Sequence, residues 1–366
     1  MNVAPLASLA VLLTALGGGP TVRHYEYVFP DRHAYVYDID HGHRLVAHWA
    51  IPAAHSLRGV AFSPRTHTLY FSVGGNGGSS GNGALVAYDL LGRRVLWKRP
   101  FPTGTDSLAV SPDGRTLYVP MGERTMGDVW YVVDGASGRI RTEIHAGPGP
   151  HNTIVSPDGR YVYLGPRNSR YLFVASTRTD RVVLRVGPLL PGVRPFTVDP
   201  ARGLVYTTAT GFLGFQVSSL RSGHVLETVR VRGFPGGGSL GSPSHGITLT
   251  PDGRRLFVID VPSSYVHAYA VGDGPPRHLA DIPLDHPMTG KEQPCGGDCG
   301  RAGWLQASLD GRYVYVGDDG DVISVQKLRV VGFLPALDNS RYQLELDWRG
   351  NRPIRTSTRS GIAYSK

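Results

Sequence analysis

Residues 154–163 read Ile154-Val-Ser-Pro-Asp-Gly-Arg-Tyr-Val-Tyr163, and the phrase returns along the chain. It stands as Ala109-Val-Ser-Pro-Asp-Gly-Arg-Thr-Leu-Tyr118 and as Thr248-Leu-Thr-Pro-Asp-Gly-Arg-Arg-Leu-Phe257. Looser copies are Ala61-Phe-Ser-Pro-Arg-Thr-His-Thr-Leu-Tyr70, Thr197-Val-Asp-Pro-Ala-Arg-Gly-Leu-Val-Tyr206 and Ala307-Ser-Leu-Asp-Gly-Arg-Tyr-Val-Tyr315. The prolines at 64, 112, 157, 200 and 251 lie 43 to 51 residues apart. A period of this length marks a solenoid or a propeller.

Each copy reads as strand, turn, strand. Pro-Asp-Gly is a tight-turn signal, and apolar or alternating residues flank it. A second hairpin follows every time: Ala84 to Trp97, Val129 to Ile144, Tyr171 to Val186, Phe212 to Val231 and Val266 to Ile282. Four strands per repeat make a propeller blade. His33 to Trp49 is a second-type hairpin with no first-type hairpin before it, and two short strand-like pieces lie between Pro353 and Tyr364. Joined, these ends supply one more blade. The expected fold is therefore all-β: a seven-bladed β-propeller of four-stranded antiparallel blades over residues 21–366, closed by N- and C-terminal strands in one blade. Closure removes the free sheet edges of an open array, and loss of the last fifteen or so residues is expected to unfold the ring.

Composition agrees. Of 366 residues, 41% are hydrophobic and 18% charged, which supports a sizeable core. The 48 Gly and 28 Pro suit many short strands. The net charge of +9 comes almost entirely from arginine, since lysine occurs only at positions 98, 291, 327 and 366. The arginines are scattered one or two per strand or turn, which argues against a nucleic-acid partner.

The phrase Ser-Pro-Asp-Gly-Arg-x-Leu/Val-Tyr-Val, followed by an Asp-x-x-x-Gly hairpin, resembles the repeat of the YVTN β-propeller family. Clear copies are 111–119, 156–164 and 250–258. The resemblance runs from about residue 25 to the end and implies an exported protein. The repeat residues are structural, so no catalytic residue follows from them.

A candidate site follows from the register. The strand before Ser-Pro-Asp-Gly is the innermost of its blade, and its first residues line the channel mouth. Six residues before each proline stand Arg58, Asp106, His151, Arg194 and His245. The sixth blade offers Gly303 with Trp304 beside it, and Arg355 fills the seventh place. Five polar residues at one repeat position exceed what packing selects. The arginines favour a carboxylate or phosphate ligand, with Trp304 lining the site. His151 or His245 could serve as a general base oriented by Asp106.

Three functions are compatible with this ring. The first is binding of an anionic small molecule or protein segment. The second is a lactonase-type hydrolysis or isomerisation, because bacterial seven-bladed lactonases, similar at the level of fold, use His, Arg and carboxylate in a comparable channel. The third is a metal-dependent oxidoreductase with an ion on His151 and His245, shared with Asp106. The sequence names no cofactor.

Two Gly/Pro-rich connections, 233–244 and 285–302, lead into channel-mouth positions, where binding loops are expected. The second holds both cysteines. Cys295 and Cys299 are expected to form a disulfide if the protein is exported; a metal there would draw on His286 and Asp298. Gly317-Asp-Asp-Gly-Asp321 has the composition of a calcium loop but reads as a turn between strands. The apolar run Ala4 to Leu16, followed by Gly17-Gly-Gly-Pro20, has the length of a signal-peptide core, although no Lys or Arg precedes it. It is too short to span a membrane, and no other segment is long enough. The expected protein is an exported, extracytoplasmic monomer with residues 1–20 as leader.

Overall fold

The computed structural model describes residues 21–79, 81–236, 241–288, 291–292, 299–358 and 364–365. The expected leader and Cys295 lie outside these residues, and the side chain of Cys299 is likewise not described.

The repeated phrase folds as its chemistry requires. Ser156 Oγ donates to Asp158 Oδ1 at 2.5 Å, and the same carboxylate oxygen accepts from Arg160 N at 3.0 Å. Gly159 occupies the left-handed region at φ 68°, which closes the turn without steric penalty. The identical pair of bonds recurs at Asp113, Asp252 and Asp310. In the looser first copy His67 takes the left-handed position instead, at φ 57°.

The closing aromatic of each phrase faces the following blade. Tyr70, Tyr118, Tyr163, Tyr206, Phe257 and Tyr315 are all at most 4% exposed. The Tyr70 hydroxyl donates to Gly135 O at 3.3 Å, and the Tyr118 hydroxyl donates to Asp180 Oδ1 at 3.5 Å, in both cases on a turn of the next blade. The repeat therefore encodes both a hairpin and the interface to its neighbour.

Six blades are consecutive four-stranded antiparallel sheets, spanning 57–100, 109–145, 150–186, 193–230, 247–283 and 305–333. The seventh combines Val22–Val28, His33–Asp38 and Arg44–Ala50 with Gln343–Arg349, which takes the place that the inner strand holds in the other blades. Val22–Val28 and Gln343–Arg349 pair along their whole length, from Val22 opposite Arg349 to Val28 opposite Gln343. The described residues form seven hydrophobic clusters, one per blade interface. Phe29, Phe71 and Leu344 join the seventh blade to the first. Tyr315, Val322, Val28 and Tyr37 join the sixth to the seventh. The chain is a closed seven-bladed β-propeller.

One expectation about closure needs correction. The two pieces between Pro353 and Tyr364 do not supply the inner hairpin of the last blade, which is made by Gln343–Arg349 and Val22–Val28. Arg352–Thr356 instead pairs with the channel side of Gln343–Arg349, with Leu346 opposite Thr356. Ser357 N donates to Glu345 O at 2.9 Å, and Ser357 and Thr358 face the inner strands across the channel. The segment therefore lies inside the ring. The N-terminal stretch supplies three strands because Val22–Val28, with its alternating Tyr25 and Tyr27, is a strand in its own right. Among the described residues no helix is long and apolar enough to cross a membrane.

Candidate functional site

The five predicted mouth residues converge. Arg58, His151 and Arg194 each stand second in their inner strands, Leu57–Ser63, Pro150–Val155 and Val193–Asp199. Asp106 and His245 lie a few residues ahead of theirs, Ala109–Val110 and Ile247–Leu249. Together with Trp304 they line a cup of about 200 Å³ that opens to solvent.

The cup contains residues that the register did not point to: Glu123, Arg124, Arg167, Arg341 and Tyr342. Glu123, Arg124 and Arg167 sit on connections between second and third strands, outside the repeated phrase. Arg341 takes the seventh place that Arg355 was expected to fill. Arg355 lies on the inboard strand and pairs with Asp347 at 3.3 Å. The seventh inner strand has no Ser-Pro-Asp-Gly copy, so no register led to it; the alternation Tyr342-Gln-Leu-Glu-Leu346 was the available signal.

Glu123 is the hub. Arg58 Nη2 lies 2.9 Å from its Oε1, and Arg167 Nη1 lies 2.7 Å from its Oε2. Arg194 Nη1 is 3.8 Å and His151 Nδ1 is 3.9 Å from the same Oε2. Arg58 Nη2 also reaches Asp106 Oδ2 at 3.2 Å, and Glu123 N donates to that oxygen at 3.3 Å. The loop geometry that brings Glu123 inward depends on Gly122, at φ 120°, where a Cβ would come within 2.4 Å of Gly77 O. Arg194 is held from behind, its Nε donating to Thr210 Oγ1 at 2.9 Å. Arg341 lies 3.4 Å from Asp318 Oδ2 and donates to Gly300 O at 3.1 Å.

The electrostatics follow from burial and these pairs. Burial alone would raise the carboxyl of Glu123, but His151, Arg58, Arg167 and Arg194 outweigh it and hold it well below the usual range. Asp106 is likewise lowered, burial being overcome by Arg58 and His151. Burial, helped by Arg167 and opposed by Glu123, brings Arg194 down to about 10, so it stays cationic at neutral pH. Burial and the cations Arg341 and Arg194 push His245 well below its ordinary value, so it is neutral. Five arginines thus face two carboxylates in the cup, and three if Asp318 behind Arg341 is counted. The excess is positive.

His151 is placed for acid–base work. Its Nδ1 lies 3.1 Å from Asp106 Oδ2, an ion-pair distance, and both ring nitrogens are buried with no hydrogen-bond partner among the described residues. The His245 ring stands edge-on to Trp304 at 5.7 Å and 6.3 Å from His151, centroid to centroid. The expected metal set of His151, His245 and Asp106 does not form. The donors that converge with His151 are Asp106 and Glu123, within 4.8 Å of one another. Both carboxylates already engage Arg58, and a cation seated there would oppose that guanidinium at close range. Of the two long connections, 285–302 brings Gly300 and Ala302 to the cup, whereas 233–244 contributes no described lining residue ahead of His245.

Comparison with known proteins extends to the fold alone. No protein-family model matches the chain. No curated protein matches it. Among solved structures it is similar to Kuenenia stuttgartiensis hydrazine synthase, with a TM-score of 0.56 and 17% identity over 83% of this chain and 95% of that one. At this identity the likeness speaks for the propeller architecture and carries no residue across.

Proposed function

We propose that this protein is an exported propeller of the YVTN-repeat kind that binds a small carboxylate- or phosphate-bearing ligand in the channel-mouth cup. The observation that carries the reading is the excess of arginine over carboxylate around one cup of about 200 Å³. Guanidinium groups held rigid by Glu123 and Thr210 are prepared to receive an anion without reorganising. Neutral His245 and the Trp304 ring supply a polar contact and an apolar wall. The apolar run Ala4 to Leu16 supports export; mass determination of the mature N-terminus after cell fractionation tests it, and an intact Met1 in the cytoplasm would reject it.

Calorimetry against a panel of mono- and dicarboxylates and phosphate esters tests the binding reading. Arg194→Ala should weaken the best anion by about 1.5–3 kcal/mol, the scale of a charge-assisted hydrogen bond. Unchanged affinity in that variant would place the anion elsewhere.

One observation favours a second reading, hydrolysis or isomerisation of a lactone-like substrate: Asp106 Oδ2 approaches His151 Nδ1 to 3.1 Å, which makes Nε2, on the far side of the ring, the candidate base. Turnover of a lactone and ester panel that is lost in His151→Ala and retained in His245→Ala would support it. Turnover surviving in His151→Ala would remove the histidine from the reaction.

A further inference from the structure

The turn Gly317–Gly320, between Tyr313–Val316 and Asp321–Ser324, carries a second group of donors that the cup does not use. Asp319 and Asp321 are fully buried. Asp321 Oδ1 lies 3.2 Å from His286 Nδ1, and Asp321 Oδ2 accepts from Asp285 N at 2.7 Å. Asp319 Oδ1 accepts from Asp321 N at 2.9 Å. Asp319 Oδ2 is buried and has no hydrogen-bond partner among the described residues. His286, Asp319 and Asp321 each offer a ligand atom, and the three atoms lie within 4.8 Å of one another.

The charge balance differs from that of the cup. Asp106 and Glu123 are compensated by Arg58, Arg167 and Arg194. Among the described residues neither Asp319 nor Asp321 has a Lys or Arg within ion-pair distance, and His286 is the only basic side chain beside them. Two adjacent buried carboxylates with one vacant acceptor oxygen call for a positive charge between them, either a shared proton or a bound cation. A divalent ion supplies that charge and takes the orphan oxygen as a ligand. An imidazole with two carboxylates suits a first-row transition ion better than calcium, which prefers oxygen alone. The half-exposed His286 leaves the solvent side open for water ligands.

We infer that His286, Asp319 and Asp321 form a binding site for a divalent transition cation of the Zn²⁺ class. The ion fastens the start of the 285–302 connection to the sixth blade, while the far end of the same connection, at Gly300 and Ala302, borders the cup. The site stands independently of the anion reading.

The test is titration of the purified, EDTA-treated full chain with Zn²⁺, then Mn²⁺ and Ca²⁺, by calorimetry and thermal melting. The expected result is one tight Zn²⁺ equivalent, an upward shift in Tm and weak or no response to Ca²⁺. His286→Ala, at a half-exposed position, should weaken Zn²⁺ at least tenfold, since even outer-shell changes at metal sites reach about that size. Asp319→Asn should weaken it as much, while the metal-free variant melts no lower than the parent. His278→Ala, in the separate group of His267, His278 and Asp281, should leave the tight equivalent intact. Absence of Zn²⁺ binding, or binding unmoved by His286→Ala and Asp319→Asn, overturns the assignment.

Discussion

Glu123 shows how much of the site rests on a single side chain. Its carboxylate stands among Arg58, Arg167, Arg194 and His151, all within 4 Å. Removing one member of a buried ionic group leaves the others uncompensated and costs about 3–5 kcal/mol. Glu123→Gln should therefore lower stability by roughly 3 kcal/mol in denaturant unfolding at neutral pH. Added phosphate should restore part of the loss by taking the vacated negative charge; a loss that phosphate leaves unchanged would contradict the charge argument. The pH dependence has two opposing parts. Asp106 and Glu123 are lowered in the fold, so their contribution is present above the ordinary values of 3.8 and 4.5 and is lost as pH falls below them. Glu26 and Glu345 are raised well above 4.5, both chiefly by burial, so stability falls as pH rises beyond that value. Glu26→Gln keeps an acceptor for Gln306 Nε2, which now lies 3.1 and 3.2 Å from the two carboxylate oxygens. The variant should gain stability over the parent at pH 8 and less at pH 5. An equal difference at both pH values would show that Glu26 does not titrate as described.

The elements explain why some of the site was legible and some was not. The Ser-Pro-Asp-Gly phrase marks both a turn and a distance: six residues upstream of its proline the chain reaches the mouth. That spacing leads to Arg58, Asp106, His151, Arg194 and His245, and to Trp304 through its neighbour Gly303, all of which line the cup. Glu123 and Arg167 come from connections whose length varies from blade to blade, so no repeat position points to them. Their placement depends on close backbone contacts such as Gly122 against Gly77, which are tertiary and leave only a glycine in the sequence. Gly122→Ala introduces a side chain at φ 120° against a carbonyl oxygen. It should destabilise by about 1–3 kcal/mol, the scale of a strained residue, and should weaken anion binding because Glu123 moves with it. Retained affinity alongside lost stability would separate the loop from the cup.

At the scale of the whole molecule, the period and the closing aromatics made the ring predictable, whereas the path of the C-terminal strand was not. Arg352–Thr356 pairs where a propeller ordinarily has open channel, and its short alternating sequence looks the same on either side of a sheet. The ring is closed by Gln343–Arg349, which pairs with Val22–Val28. A chain ending at Gly350 should therefore still fold, with a lower Tm from loss of the Ser357 and Arg355 contacts. A chain ending at Arg341 should lose cooperative unfolding altogether. Equal collapse of both truncations would mean that the inboard strand, and not the paired termini, holds the ring. The blades then serve one end: they bring side chains from distant parts of the sequence to a single arginine-rich mouth. Diffraction from crystals soaked in selenate tests this most directly, because the dianion is tetrahedral and its selenium can be located by anomalous scattering. The account predicts a peak in the cup among Arg194, Arg341 and His245 that is absent from Arg194→Ala crystals; selenium found only outside the cup would contradict it.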